Sequence, residues 1–260
     1  MAYKDLLVVV DDGPNVGERI RLAVGLAERF EAHLVGLYVS LIAKAEPPHR
    51  AQRAQALFDD IVSSRNLSTE WRVKTGFPVD VAVVQARYAD LVIIGQLDPA
   101  DAQAPVNNPP PEDIALSVGR PLLVVPYVGH YPTVGQRVLV AWDAGREAAR
   151  AISDAMPLLA TASSVTVLTI DPVVDREEHG DIPGADIALH LARHGVDARV
   201  ESAASAGIGI GNTLLSRASD LGVDLLVMGA YGHSRVRELL LGSATRTVLE
   251  SMTLPVLMAH

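Results

Sequence analysis

GAYGHSRVRELLLGS, residues Gly229 to Ser243, begins where the apolar run Asp224-Leu225-Leu226-Val227-Met228 ends. With SATRTVLESM after Gly242, the stretch reads as buried strand, loop and helix start. A helix start offers unpaired backbone N–H groups and the positive end of its dipole. Glycine lets main chain approach an anion with no Cβ between them. Ser243 adds a hydroxyl at the N-cap position. The stretch is not a Walker loop, since no Lys follows Gly242, and it is not GxGxxG. On residue types alone, a tight turn followed by a serine-capped helix stays open as the alternative.

The apolar run before this loop has a counterpart in the first half. Asp90 and Asp224, Gly95 and Gly229, and Pro121 and Pro255 are each 134 residues apart, and Asp11 and Asp143 are 132 apart. Around these pairs one order is written twice. LLVVV (6–10), a helix over 15–30, AHLVGLYVS, a helix over 47–65, STEWRVK, a helix over 77–88, DLVIIG and PLLVV form the first half. RVLVAW, a helix over 148–160, SVTVLTI, a helix over 185–194, DARVESA, a helix from 211, DLLVMG and PVLMA form the second. Continuous apolar strands alternating with amphipathic helices predict parallel sheets covered on both faces. The expected fold is α/β: two similar doubly wound domains, 1–130 and 131–260, each with a five-stranded, mainly parallel sheet. YVGHYPTVGQ (127–136) is the expected linker. In such sheets ligands sit beyond the strand carboxyl ends where strand order reverses, which points to Asp143 and Gly229.

The repeat supplies an internal control. Gly95 persists in the first half, but Asp98 stands for Gly232, Asn108 for Gly242 and Pro109 for Ser243. The window 95–112 holds Asp98, Asp101 and Glu112 with no Lys or Arg, and Pro109-Pro110-Pro111 removes N–H donors. From 229 to 246 the charges are Arg235, Arg237 and Arg246 against Glu238. An anion is therefore expected in the second half and not in the first.

The spacing Gly229, Gly232, Gly242, Ser243 resembles the G-2x-G-9x-G-(S/T) nucleotide-binding motif of the universal stress protein family, and GAYGHSR resembles the form found in its tandem members. The resemblance implies an adenine nucleotide alpha-hydrolase-like fold in which the first and fourth strands of each domain are neighbours. It implies ATP, or AMP or ADP, bound in the second domain with magnesium, and a regulatory, stress-response role. Asp143 then matches the aspartate at the nucleoside, and Ala141 and Ile170 match positions that meet the base. His233 and Arg235 fall within reach of the phosphates. In single-domain members the last strand commonly pairs across a dimer interface; here PLLVV and PVLMA are open to pairing within one chain, so the resemblance leaves a homodimer as one alternative, with a protein partner whose identity the sequence does not give. No general base is evident in the motif, so binding is favoured over turnover, with slow ATP hydrolysis as the upper bound.

Composition narrows the field. Twenty-two Lys and Arg against 31 Asp and Glu give a net charge of −9, which argues against nucleic acid or anionic membrane as partners. No Cys is present, so disulfides and thiolate chemistry are excluded. MAYKD lacks a signal-peptide pattern and no apolar run spans a bilayer, so a cytoplasmic location is expected. His190 and His194, four apart on a helix, lack a third metal ligand at suggestive spacing. GIGIGN (207–212) reads as a helix entry, and Trp71 and Trp142 are too isolated for a base-stacking platform. A nucleotide-free interaction scaffold and an adenylating enzyme of the same fold remain the rivals.

Overall fold

The computed structural model describes residues 2–13, 15–41, 49–98, 108–172, 184–232 and 244–260. It divides into two units, Met1–Thr133 and Val134–His260. The first runs β1 (Asp5–Val10), α1 (Val16–Phe30), β2 (His33–Ser40), α2 (His49–Ser63), β3 (Thr69–Thr75), α3 (Pro78–Ala86), β4 (Leu91–Gly95), α4 (Pro111–Ser117) and β5 (Leu122–Val125). The second runs β6 (Arg137–Ala141), α5 (Arg146–Leu159), β7 (Ser164–Ile170), α6 (Ala185–Arg193), β8 (Ala198–Ala203), α7 (Ile210–Asp220), β9 (Leu225–Gly229), α8 (Ala244–Ser251) and β10 (Val256–Ala259).

Strand order in the first unit is β3-β2-β1-β4-β5 and in the second β8-β7-β6-β9-β10, all parallel. Both sheets therefore reverse direction of growth at one place, between β1 and β4 and between β6 and β9. The registers agree as well. Leu6 faces Leu91 in the first unit and Val138 faces Leu225 in the second, the same separations of 132 and 134 that the sequence carries.

The apolar runs explain the layering. Leu6 to Val10, Leu91 to Ile94 and Leu122 to Val125 are almost wholly buried, as strands covered on both faces must be. β3 and β8, at the outer ends of the order in their units, hold only half-buried and exposed residues instead. Gly36 on β2 makes room for cover: a Cβ there would lie 2.8 Å from both the Phe58 and Trp71 rings, which pack on each other at 5.3 Å. Trp71 is thus a half-buried packing residue. One clamp recurs where the fourth strand begins. Asp90 Oδ2 accepts the backbone N–H groups of Lys4 and Asp5, at 2.7 and 3.1 Å. Asp224 accepts those of Gln136 and Arg137, each at 2.9 Å. No helix among the described residues is long and apolar enough to cross a membrane.

Candidate functional site

The reversal between β6 and β9 opens a cleft at their carboxyl ends. Ala141, Trp142 and Asp143 enter it from the end of β6, Leu168 and Ile170 from β7, and Met228, Gly229 and Gly232 from β9 and the turn after it. Ala148 of α5, Ile210 and Leu214 of α7, and Ala244 and Thr245 of α8 complete the lining around a cavity of ≈ 240 Å³. Five residues singled out from sequence, Ala141, Asp143, Ile170, Gly229 and Gly232, come together here. His233, Arg235, Gly242 and Ser243 lie outside the described residues. The walls are mostly apolar, with Asp143 as an exposed carboxylate at the mouth, the mix expected of a site that holds a flat apolar body by one polar edge.

Each glycine has its own reason. A Cβ on Gly229 would sit 2.6 Å from the Ala148 nitrogen and 2.7 Å from the Glu147 carbonyl carbon, so its absence lets the first turn of α5 press against the end of β9. That is a packing role, and the sequence reading of Gly229 as an approach for an anion missed it. Gly232 is different. Its nearest atom beyond chain neighbours is Glu147 Oε2, 3.3 Å from where a Cβ would be, with Asp143 Oδ2 at 3.9 Å. Glu147 is 3% exposed, and its Oε1 accepts a hydrogen bond from Arg146 Nε. Arg246, counted above among the charges of the motif, pairs with Glu250 one turn on, at 2.8 Å.

The equivalent corner of the first unit is filled. Asp11 and Asp143 make the same turn, each Oδ1 accepting the N–H two residues on, from Gly13 at 2.8 Å and from Gly145 at 2.9 Å. Their other oxygens meet different surroundings. Asp11 Oδ2 accepts a hydrogen bond from Arg19 Nη2 at 2.6 Å, and both side chains are buried. The guanidinium lies so close over Gly95 that a Cβ there would be 1.7 Å from Nη1. Asn108 closes the same corner, its Nδ2 donating to the Gly95 carbonyl at 3.2 Å. In the second unit the residue 132 positions after Arg19 is Ala151, and Asp143 has no ion-pair partner among the described residues. Arg19, with Asn108 beside it, thus fills the corner over Gly95.

Sequence reasoning missed three of these features. Arg19 sits on α1 among apolar neighbours and reads as a surface arginine; its only signal is the alanine at its counterpart. Trp142, set aside for isolation in sequence, is not isolated in space, since it directly precedes Asp143 and lines the cleft. In GIGIGN, Gly211 allows contact between helices: a Cβ there would lie 2.7 Å from Thr247 Cβ and 3.0 Å from the Ala244 carbonyl oxygen.

Residues 135–260 match the Universal stress protein family. The universal stress protein Slr1230 of Synechocystis sp. is 55% identical over 38 residues, 15% of this chain and 13% of that protein's length. In the solved structure of a universal stress protein from Archaeoglobus fulgidus, 15% identical, the match covers 98% of this chain and 97% of that one with a TM-score of 0.73. A functionally unknown protein from Pseudomonas aeruginosa, 16% identical, matches over 99% and 92% with a TM-score of 0.66. At those identities the likeness is one of fold, and it extends over both units. A universal stress protein from Archaeoglobus fulgidus in complex with dAMP matches 48% of this chain and 98% of its own, at 19% identity and a TM-score of 0.37. The second unit, which holds the open cleft, is a universal stress protein family domain, matched over residues 135–260.

Proposed function

We propose that the second unit binds an adenine nucleotide, ATP in the first instance, and that the protein acts by binding rather than by turnover, as a cytoplasmic regulator in a stress response. The observation that carries this reading is the cleft itself. Asp143, Ala141, Ile170 and Gly232 converge on it from three strands, while the matching corner of the first unit is filled by Arg19. In this arrangement Leu168, Ile170, Ile210 and Leu214 receive the base, and the exposed Asp143 carboxylate accepts hydrogen bonds from base or ribose. The phosphates run past Gly232 toward the start of α8, where backbone N–H groups favour an anion. Such donors hold the bound ground state as well as any transition state, which suits a binding role.

Magnesium enters this reading only with the nucleotide. Asp143 and Glu147 are the carboxylates near Gly232, and among the described residues no three His, Cys, Asp or Glu side chains are grouped to hold a metal. The fit is therefore to a metal already carried by phosphates.

The test is a thermal shift and intrinsic fluorescence titration with ATP and magnesium. The chain has two tryptophans; Trp71 is packed on Phe58 in the first unit, and Trp142 lines the cleft in the second. Nucleotide should raise the melting midpoint and change the emission of Trp142. The emission change should survive Trp71→Phe and disappear in Trp142→Phe. No shift with ATP, ADP or AMP would leave the nucleotide-free scaffold as the reading of this fold.

A further inference from the structure

The far side of the same cleft is fastened by a contact that no motif announces. Thr245, the second residue of α8, is 2% exposed, and its hydroxyl oxygen accepts a hydrogen bond from the Tyr231 backbone N–H at 3.2 Å. Tyr231 turns the chain out of β9 with φ of 56°, a left-handed conformation that a residue with a Cβ adopts only where its surroundings hold it there. The bond joins the entry of the loop to its exit, 14 residues further along. The exit is also held from behind, because Gly211 lets the first turn of α7 lie against Ala244 and Thr247. In the first unit the residue 134 positions before Thr245 is Pro111, which has no hydroxyl.

We propose that Thr245 is a positioning residue for the cleft: its hydroxyl ties the turn at Tyr231 to the start of α8 before any ligand arrives. The backbone at Tyr231 and Gly232 is then preset rather than fixed by the nucleotide, and the cost of holding that turn is met in folding instead of in binding. The contact stands on the structure alone, whereas its consequence for affinity rests on the nucleotide reading above.

Three variants separate the two. Thr245→Val keeps the branched shape and removes the acceptor, Thr245→Ala removes both, and Thr245→Ser keeps the hydroxyl. In nucleotide-free protein, amide hydrogen exchange at Tyr231 should be slow in wild type and Thr245→Ser and fast in Thr245→Val and Thr245→Ala. Calorimetry with ATP and magnesium should show affinity about tenfold weaker in both acceptor-free variants, the loss of roughly one net hydrogen bond. Thr245→Ser should bind as wild type does. A purely structural role would instead lower the melting midpoint of Thr245→Val and leave its affinity unchanged, which would overturn the proposal. Equal Tyr231 exchange in wild type and Thr245→Val would overturn it too. Should exchange follow the expected pattern while wild type takes up no nucleotide, the fastening stands and the nucleotide reading is what fails.

Discussion

Gly229 and Gly232 are separated by two residues, and substitution should part their roles. Alanine at 229 drives a methyl into the backbone of α5, where the Ala148 nitrogen lies 2.6 Å from the new atom, so Gly229→Ala should lose about 1–3 kcal/mol in urea unfolding. Alanine at 232 meets only the end of a flexible side chain, 3.3 Å away, and should stay within about 0.5 kcal/mol of wild type. Gly232→Asp, the residue the first unit uses, sets a further carboxylate beside Asp143 and Glu147 and should abolish nucleotide uptake. Arg19→Ala strips the counter-charge from buried Asp11 and should cost about 3–5 kcal/mol, read from chemical denaturation of the intact chain. Tyr131 offers a pH test. Burial, and after it the Glu18 carboxylate, push its phenol from 10.0 up to about 12. A folded-state value above the unfolded one contributes stability that is complete below pH 10 and is lost as pH rises toward about 12. Absorbance titration should find one tyrosine ionising near that upper value, and Tyr131→Phe should remove it.

At the scale of elements, the clamp at the start of the fourth strand of each unit does the same work twice. Asp90→Ala and Asp224→Ala should each leave two backbone N–H groups without their acceptor and cost about 1–3 kcal/mol by equilibrium unfolding. A large cost from one and none from the other would break the equivalence of the two units. Most of the element order was legible, because strands such as Leu6 to Val10 and Leu225 to Met228 are buried on both faces and so read as unbroken apolar runs. The neighbouring of first and fourth strands was not a matter of periodicity; it came from the family resemblance, and the pairings of β1 with β4 and β6 with β9 agree with it. α4 was not legible. Pro109-Pro110-Pro111 reads from sequence as a loss of N–H donors, yet Pro110 is the N-cap of α4 and Pro111 its first residue, a place where no N–H is needed.

For the whole molecule, one fold is written twice: the second copy keeps an open cleft beside Gly229, and the first fills the corner over Gly95. The sequence showed Asp98, Asn108 and Pro109 where the second copy has Gly232, Gly242 and Ser243, but not the side chain that lies over Gly95. An arginine one position along a helix looks like any other until its partner, Asp11, and the glycine beneath it, Gly95, are seen to share one corner. Stoichiometry reports this asymmetry directly. Isothermal titration calorimetry of the intact chain with ATP and magnesium should give one site per chain, lost in Gly232→Asp and retained in Asp98→Gly plus Asn108→Gly. Two sites per chain, or no heat with any adenine nucleotide, would contradict it.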